Sequence, residues 1–188
     1  MALARDANEL ERRYDMVFMV HMSGWTPLMW AGYRRDPQVL NALLAANADT
    51  RATDQYGRNA LHLVMESTQP APAAPCIDLL IRAGAFVDHV DRNGFTSLHK
   101  AVQRGDLGAA SMLIDHGADV NARDSHGETA LVIALSSRAS EAMVKLLLDR
   151  GADARMKTPN GRGMLELAEL LGVAPEMREL LRQAIERH

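Results

Sequence analysis

The chain has 188 residues, 47% of them apolar and 24% charged, and a formal net charge of −3. That balance belongs to a folded protein: it holds too much apolar content for disorder and too little positive charge to argue for nucleic acid or a membrane surface. A single cysteine, Cys76, excludes an intrachain disulfide framework and fits a reducing compartment.

Residues 1–20 carry Leu3, Ala7 and Leu10 three or four apart, a spacing that predicts one helix with an apolar side and the role of a cap. The apolar run MVFMV is too short for a signal peptide core or a membrane span, so a cytoplasmic protein is expected, with a non-classical route of export as the exception. From Gly24 onward one phrase recurs: GWTPLMWA at Gly24, GRNALHLV at Gly57, GFTSLHKA at Gly94, GETALVIA at Gly127 and a weaker GRGMLELA at Gly161. A second phrase follows the first four glycines in phase: LLAANAD, LIRAGAF, LIDHGAD and LLDRGAD. Two phrases locked in one period of 33 to 37 residues mark stacked repeats.

The first unit spans 21–53. Thr26-Pro27 opens its first helix, because Thr caps well and Pro suits a first position whose N–H has no acceptor. After Asp36-Pro37, Val39, Leu40, Leu43 and Leu44 give the buried stripe of a second helix, and Asn47 ends it in the left-handed conformation that later units assign to glycine. The second unit, 54–90, is lengthened by a Pro-rich insert, 67–75 (STQPAPAAP), which predicts an exposed, semi-rigid loop with helix resuming at Cys76. The third unit, 91–123, is the cleanest, and the fourth, 124–157, has one extra residue in its turn near 138–140. The stretch 158–188 is degenerate and polar, as expected of a C-terminal capping repeat.

Asp91, Gly94, Thr96, Leu98, His99 and Ala101, followed by Gly117-Ala118-Asp119-Val120-Asn121, resemble the ankyrin repeat. The match departs from the family pattern where Met29 and Val132 take the His slot and where Ala60, Ser97 and Ala130 replace Pro. The phrasing of the first unit is also similar to ankyrin proteins common in bacteria. The resemblance implies an all-α fold: a solenoid of stacked antiparallel helix pairs with projecting β-hairpin-like loops, forming one domain over 1–188. It also implies a non-catalytic module that binds a partner protein on its concave face, possible regulation of that partner included.

The sequence offers no constellation for catalysis, no cofactor loop and no metal-ligand spacing. His62 and His99 fall in the motif's His slot, where the family uses imidazole to bond neighbouring loops. Cys76 has the phase of a buried residue and the expected inertness of one. Asp54, Asp91 and Asp124 precede the repeat glycines by three and are expected to hold turn N–H groups.

The resemblance places the residues flanking each glycine, and the end of each first helix, on the concave face. There the chain puts Trp25, Tyr33, Arg34, Tyr56, Arg58 and Arg92 in its first half, then Phe95, Arg104 and Arg123. Aromatics and arginine are enriched at binding hot spots, so these nine are the expected partner-binding residues. The partner is expected to be another protein with an acidic, partly apolar patch, the chain alone being monomeric. A nucleic-acid adaptor and a regulatory subunit of an enzyme complex are the competing readings. Net acidity and the lack of a basic run weigh against nucleic acid.

Overall fold

A computed structural model describes residues 24–137 and 139–187 of the chain. The expected cap at 1–20, and residues 21–23 of the first unit, lie outside the described residues. The described part is all helical, with one isolated antiparallel bridge between Arg123 and Thr129 in place of any strand. The chain divides into two compact units, Met1–Arg92 and Asn93–His188.

In the first unit, α1 (Pro27–Arg34) starts on Thr26, whose Oγ1 accepts from Met29 N at 3.3 Å. The Met29 sulfur, standing in the His slot, takes the Thr26 N–H at 3.4 Å. Helix α2 (Pro37–Ala45) starts on Asp36, whose Oδ1 accepts from Gln38 N and Val39 N. Asn47 ends it at φ 60, in the conformation its amide side chain tolerates. Helix α3 (Ala60–Glu66) is capped by Asn59, and α4 (Ala74–Arg82) follows the insert. First helices stack on first helices and second on second, α1 against α3 and α2 against α4. Leu28, Met29, Leu40, Leu61, Leu63, Ile77 and Leu80 are fully buried between them. Truncating any one to Ala costs about 2–5 kcal/mol by lost transfer energy and the cavity left.

The insert differs from its expectation. Helix α4 begins at Ala74, not at Cys76, and Pro75 sits inside its first turn. Proline is harmless there, because first-turn N–H groups have no intrahelical acceptor. Nor is the loop wholly exposed: Ser67 and Ala73 are buried. The Arg35 guanidinium ties it down, donating from Nε to the Val64 carbonyl at 3.1 Å and from Nη1 to the Ala71 carbonyl at 2.8 Å.

The second unit holds α5 (Ser97–Gln103), α6 (Leu107–Asp115), α7 (Ala130–Ser136), α8 (Glu141–Asp149), α9 (Met164–Leu170) and α10 (Pro175–Glu186). The same order of stacking holds, α7 between α5 and α9, and α8 between α6 and α10. Leu131 to Leu135 are all buried, as a helix flanked on several sides requires. Helix α9 has no side-chain cap, since Gly163 replaces the usual Thr. Helix α10 buries only Leu181 fully and leaves Glu176, Glu179 and Glu186 in water.

Candidate partner-binding site

Gly57, Gly127 and Gly161 each close a tight tip. In the first unit Asp54 N donates to the Arg58 carbonyl at 2.9 Å and Gly57 N to the Asp54 carbonyl at 3.0 Å. Asp124 and Gly127 repeat the pattern in the second unit, and so do Thr158 and Gly161. Two of the tip aspartates, Asp54 and Asp124, hold turn N–H groups as expected. Oδ1 of Asp54 accepts from Tyr56 N at 2.8 Å and Arg58 N at 2.9 Å, and Oδ1 of Asp124 from His126 N at 2.9 Å and Glu128 N at 2.8 Å. Successive tips are linked by Arg92 N to the Tyr56 carbonyl in the first unit and by Ser125 N to the Asn93 carbonyl in the second, each at 3.0 Å.

In the first unit these tips carry a continuous aromatic and guanidinium surface. Trp25 lies 5.6 Å from Trp30 and 5.2 Å from Tyr33 by ring centroids, and Trp30 stacks on Tyr33 at 5.8 Å. All three rings are half-buried. The Arg58 guanidinium lies 5.8 Å from the Trp25 centroid and 4.8 Å from that of Tyr56, whose residue is 53% exposed. The rings' negative faces favour a cation in such positions.

Arg58 itself is held from below. Its Nε and Nη2 donate to Asp54 Oδ2 at 2.8 and 2.6 Å, and its Nη1 to Glu66. The same Asp54 oxygen accepts from Trp25 Nε1 at 3.1 Å. Burial pushes the Asp54 carboxyl upward, but the Arg58 guanidinium and the two backbone donors outweigh it, so its pKa lies below the ordinary carboxylate value. Burial likewise disfavours the charge on Arg58, and Asp54 and Glu66 more than compensate, so it is raised. Arg58 is therefore a positioning group with its charge matched internally. Arg34 and Arg92 are exposed and make no side-chain ion pair or hydrogen bond among the described residues, leaving them as the open cations of this face.

In the second unit, Phe95 is half-buried, edge-on to His99 at 5.9 Å, with Lys100 Nζ 4.6 Å above its ring. Arg104 and Arg123 are exposed, and Arg123 Nη1 donates to the Gly127 carbonyl at 2.9 Å. Asp124 lacks what Asp54 has. Phe95 and Glu128 stand where Trp25 and Arg58 stand, neither can donate to its second oxygen, and buried Oδ2 has no hydrogen bond, with His126 Nδ1 at 3.7 Å.

Sequence reasoning missed Trp30 and Asp54 as parts of this surface. Trp30 precedes Tyr33 by three, the spacing that puts both on one helical face, and that signal was present. The pairing of Trp25 with Asp54 crosses 29 residues and has no local signature.

His99, His62 and Cys76 are held inside the fold. His99 Nε2 lies 3.1 Å from the Ala122 carbonyl, which can only accept, so Nε2 carries the proton and Nδ1 accepts from Thr96 N. His62 Nδ1 meets Asn59 Oδ1 at 2.8 Å. Cys76 is fully buried, and burial pushes its thiol up to about 11. Among the described residues, no His, Cys, Asp or Glu cluster is placed to hold a metal ion, and no helix is long and apolar enough to cross a membrane.

Comparison with known proteins agrees with the repeat pattern. The family profile "Ankyrin repeat" matches residues 23–55, and "Ankyrin repeats (3 copies)" matches residues 71–158. The mouse "B-cell lymphoma 3 protein homolog" is 30% identical over 158 residues, 84% of this chain and 35% of that protein. The "Ankyrin repeat domain-containing protein SAT10" of Stachybotrys chartarum is 32% identical over 109 residues, 58% of this chain and 5% of its own length. The "Putative ankyrin repeat-containing protein" of Treponema pallidum is 34% identical over 111 residues, 58% of this chain and 36% of its own. The chain thus spans about a third or less of these relatives. They come from an animal, a fungus and a bacterium, which does not single out a bacterial origin.

Proposed function

The chain belongs to the ankyrin-repeat family, whose members are in general non-catalytic modules that bind other proteins, and we propose that it holds a partner protein on the tips and first helices and regulates that partner by occupying its surface. One observation carries this reading: the Trp25, Trp30, Tyr33, Arg58 and Tyr56 surface, with exposed Tyr56 at its edge. Aromatic rings offer large contact area at small entropic cost, and the carboxylates of Asp54 and Glu66 hold Arg58 in place before a partner arrives. Arg34 and Arg92 then favour a partner whose apolar patch is rimmed by acidic groups. Phe95, Arg104 and Arg123 are the proposed contacts of the second unit.

The test is affinity capture from the source organism's lysate with the wild-type chain and with a Tyr56→Ala, Arg92→Glu variant. A protein retained by the first and lost by the second names the partner and supports the face. Each substitution is expected to cost more than about 1 kcal/mol of binding. Equal retention by both chains refutes the proposed face.

A further inference from the structure

The phrase that closes each unit ends in aspartate at Asp49, Asp119 and Asp153, but in phenylalanine at Phe86. The aspartates hold the following turn. Oδ1 of Asp49 accepts from Arg51 N at 2.8 Å, that of Asp119 from Asn121 N at 2.9 Å and that of Asp153 from Arg155 N at 2.9 Å. Phe86 cannot accept such a bond through its side chain, and it is 65% exposed. This position therefore surrenders a local hydrogen bond and puts a phenyl ring in water. A sequence that breaks its own local rule without a gain in folding points to use elsewhere.

Phe86 lines an open cleft of about 600 Å³ with Ile81 and Val87, and with Thr50 and Arg51 of the preceding repeat. The same cleft includes His89, whose Nε2 is already committed to the Gly57 carbonyl at 2.9 Å. Arg51 is exposed, and its guanidinium makes no ion pair or hydrogen bond among the described residues. Among the described residues, no carboxylate lines the cleft. It offers an apolar wall beside one unmatched positive charge.

We propose that this cleft is a second docking site, separate from the aromatic face, for a short acidic segment of a partner protein. The segment sets an apolar side chain against Phe86 and Ile81 and places a neighbouring carboxylate on Arg51. Phe86 is not a lone exposed ring: Ile81 and Val87 line the cleft with it, and a contiguous apolar surface rimmed by polar groups is what an interaction site offers. The planar guanidinium matches a carboxylate through two parallel N–H donors, which selects an acidic segment over a basic or neutral one.

The test is selection of short random peptides displayed on phage against the full chain, followed by fluorescence anisotropy with the selected peptides. Phe86→Asp and Arg51→Glu chains are the comparison, and Tyr56→Ala controls for the aromatic face. Phe86→Asp installs the residue of the sister repeats, so it should fold, and its thermal unfolding verifies that. Peptides pairing an apolar residue with Asp or Glu should bind wild type and Tyr56→Ala alike, and lose about tenfold or more against both cleft variants. The proposal is overturned if every selected peptide that still binds Tyr56→Ala binds Phe86→Asp equally, if those peptides are basic, or if no selected peptide binds Tyr56→Ala. It is also overturned if sedimentation shows self-association that Phe86→Asp abolishes, which would give the cleft to a second copy of the chain.

Discussion

Replacing Asp54 by alanine should destabilise the protein far more than the same change at Asp124, although the two hold equivalent tips. At Asp54, Oδ1 holds two backbone N–H groups and Oδ2 holds Trp25 Nε1 and two nitrogens of Arg58. Removing one partner of a buried ion pair costs about 3–5 kcal/mol, because the other charge is left desolvated. Arg58 keeps Glu66, and its side chain is 16% accessible, so water recovers part of the loss. The expected cost is about 3 kcal/mol, the low end of that range. At Asp124 only the two backbone donors are lost, and among the described residues Oδ2 has no hydrogen bond to lose. That cost is about 1 kcal/mol. The difference of about 2 kcal/mol should separate the two melting temperatures by about 4–8 °C in a chain of this size. Circular dichroism melts at neutral pH, with urea titration alongside, measure it. Equal losses, or a larger loss at Asp124, would refute the assignment of Asp54 as the keystone of the aromatic face.

Because the Asp54 pKa is lowered on folding, the folded state binds fewer protons than the unfolded one at acid pH, so its contribution is complete above the ordinary carboxylate value and disappears as pH falls through the depressed folded value. Melting temperature measured from pH 6 down to pH 3 should fall more steeply for wild type than for Asp54→Asn; parallel curves would count against it. Gly94 and Gly117 both have positive φ, but an added Cβ at Gly94 would meet Ser125 N at 2.4 Å, while one at Gly117 meets nothing within 4 Å. Gly117→Ala should therefore cost about 1–2 kcal/mol of backbone strain, and Gly94→Ala that plus the tip-to-tip hydrogen bond, about 3 kcal/mol in all, read from urea unfolding. Similar midpoints for the two would show that the tips do not pack as closely as described. Cys76, with its thiol pushed up to about 11 and its side chain buried, should not react with a disulfide reagent at pH 8 until guanidinium unfolds the chain; rapid release of colour from the native protein would contradict the burial.

The helices, their caps and most of the buried stripe were legible in the sequence because each depends on neighbours within one or two turns; Leu43 and Leu44, expected on the stripe, are only half-buried. Thr26, Thr96 and Thr129 cap helices wherever the repeat phrase places them, and Asn47 ends one as glycine would. The insert was read less well. Its three prolines suggested a free loop, yet Pro75 fits a helix's first turn and Arg35 reaches Val64 and Ala71. Reading the arginines as open positive charge also failed for Arg58, since its carboxylate partners are four and eight residues away in the chain and no period demands that they meet.

The sequence by itself determined the repeat, its family and its all-helical fold, because a periodic core leaves every unit the same local instructions. Only the tertiary structure decided which tip residues share charge, which rings touch, and that Phe86 faces a cleft beside the exposed Arg51. Those outcomes depend on contacts between repeats some 30 residues apart, where side-chain reach and burial, not periodicity, select the partners.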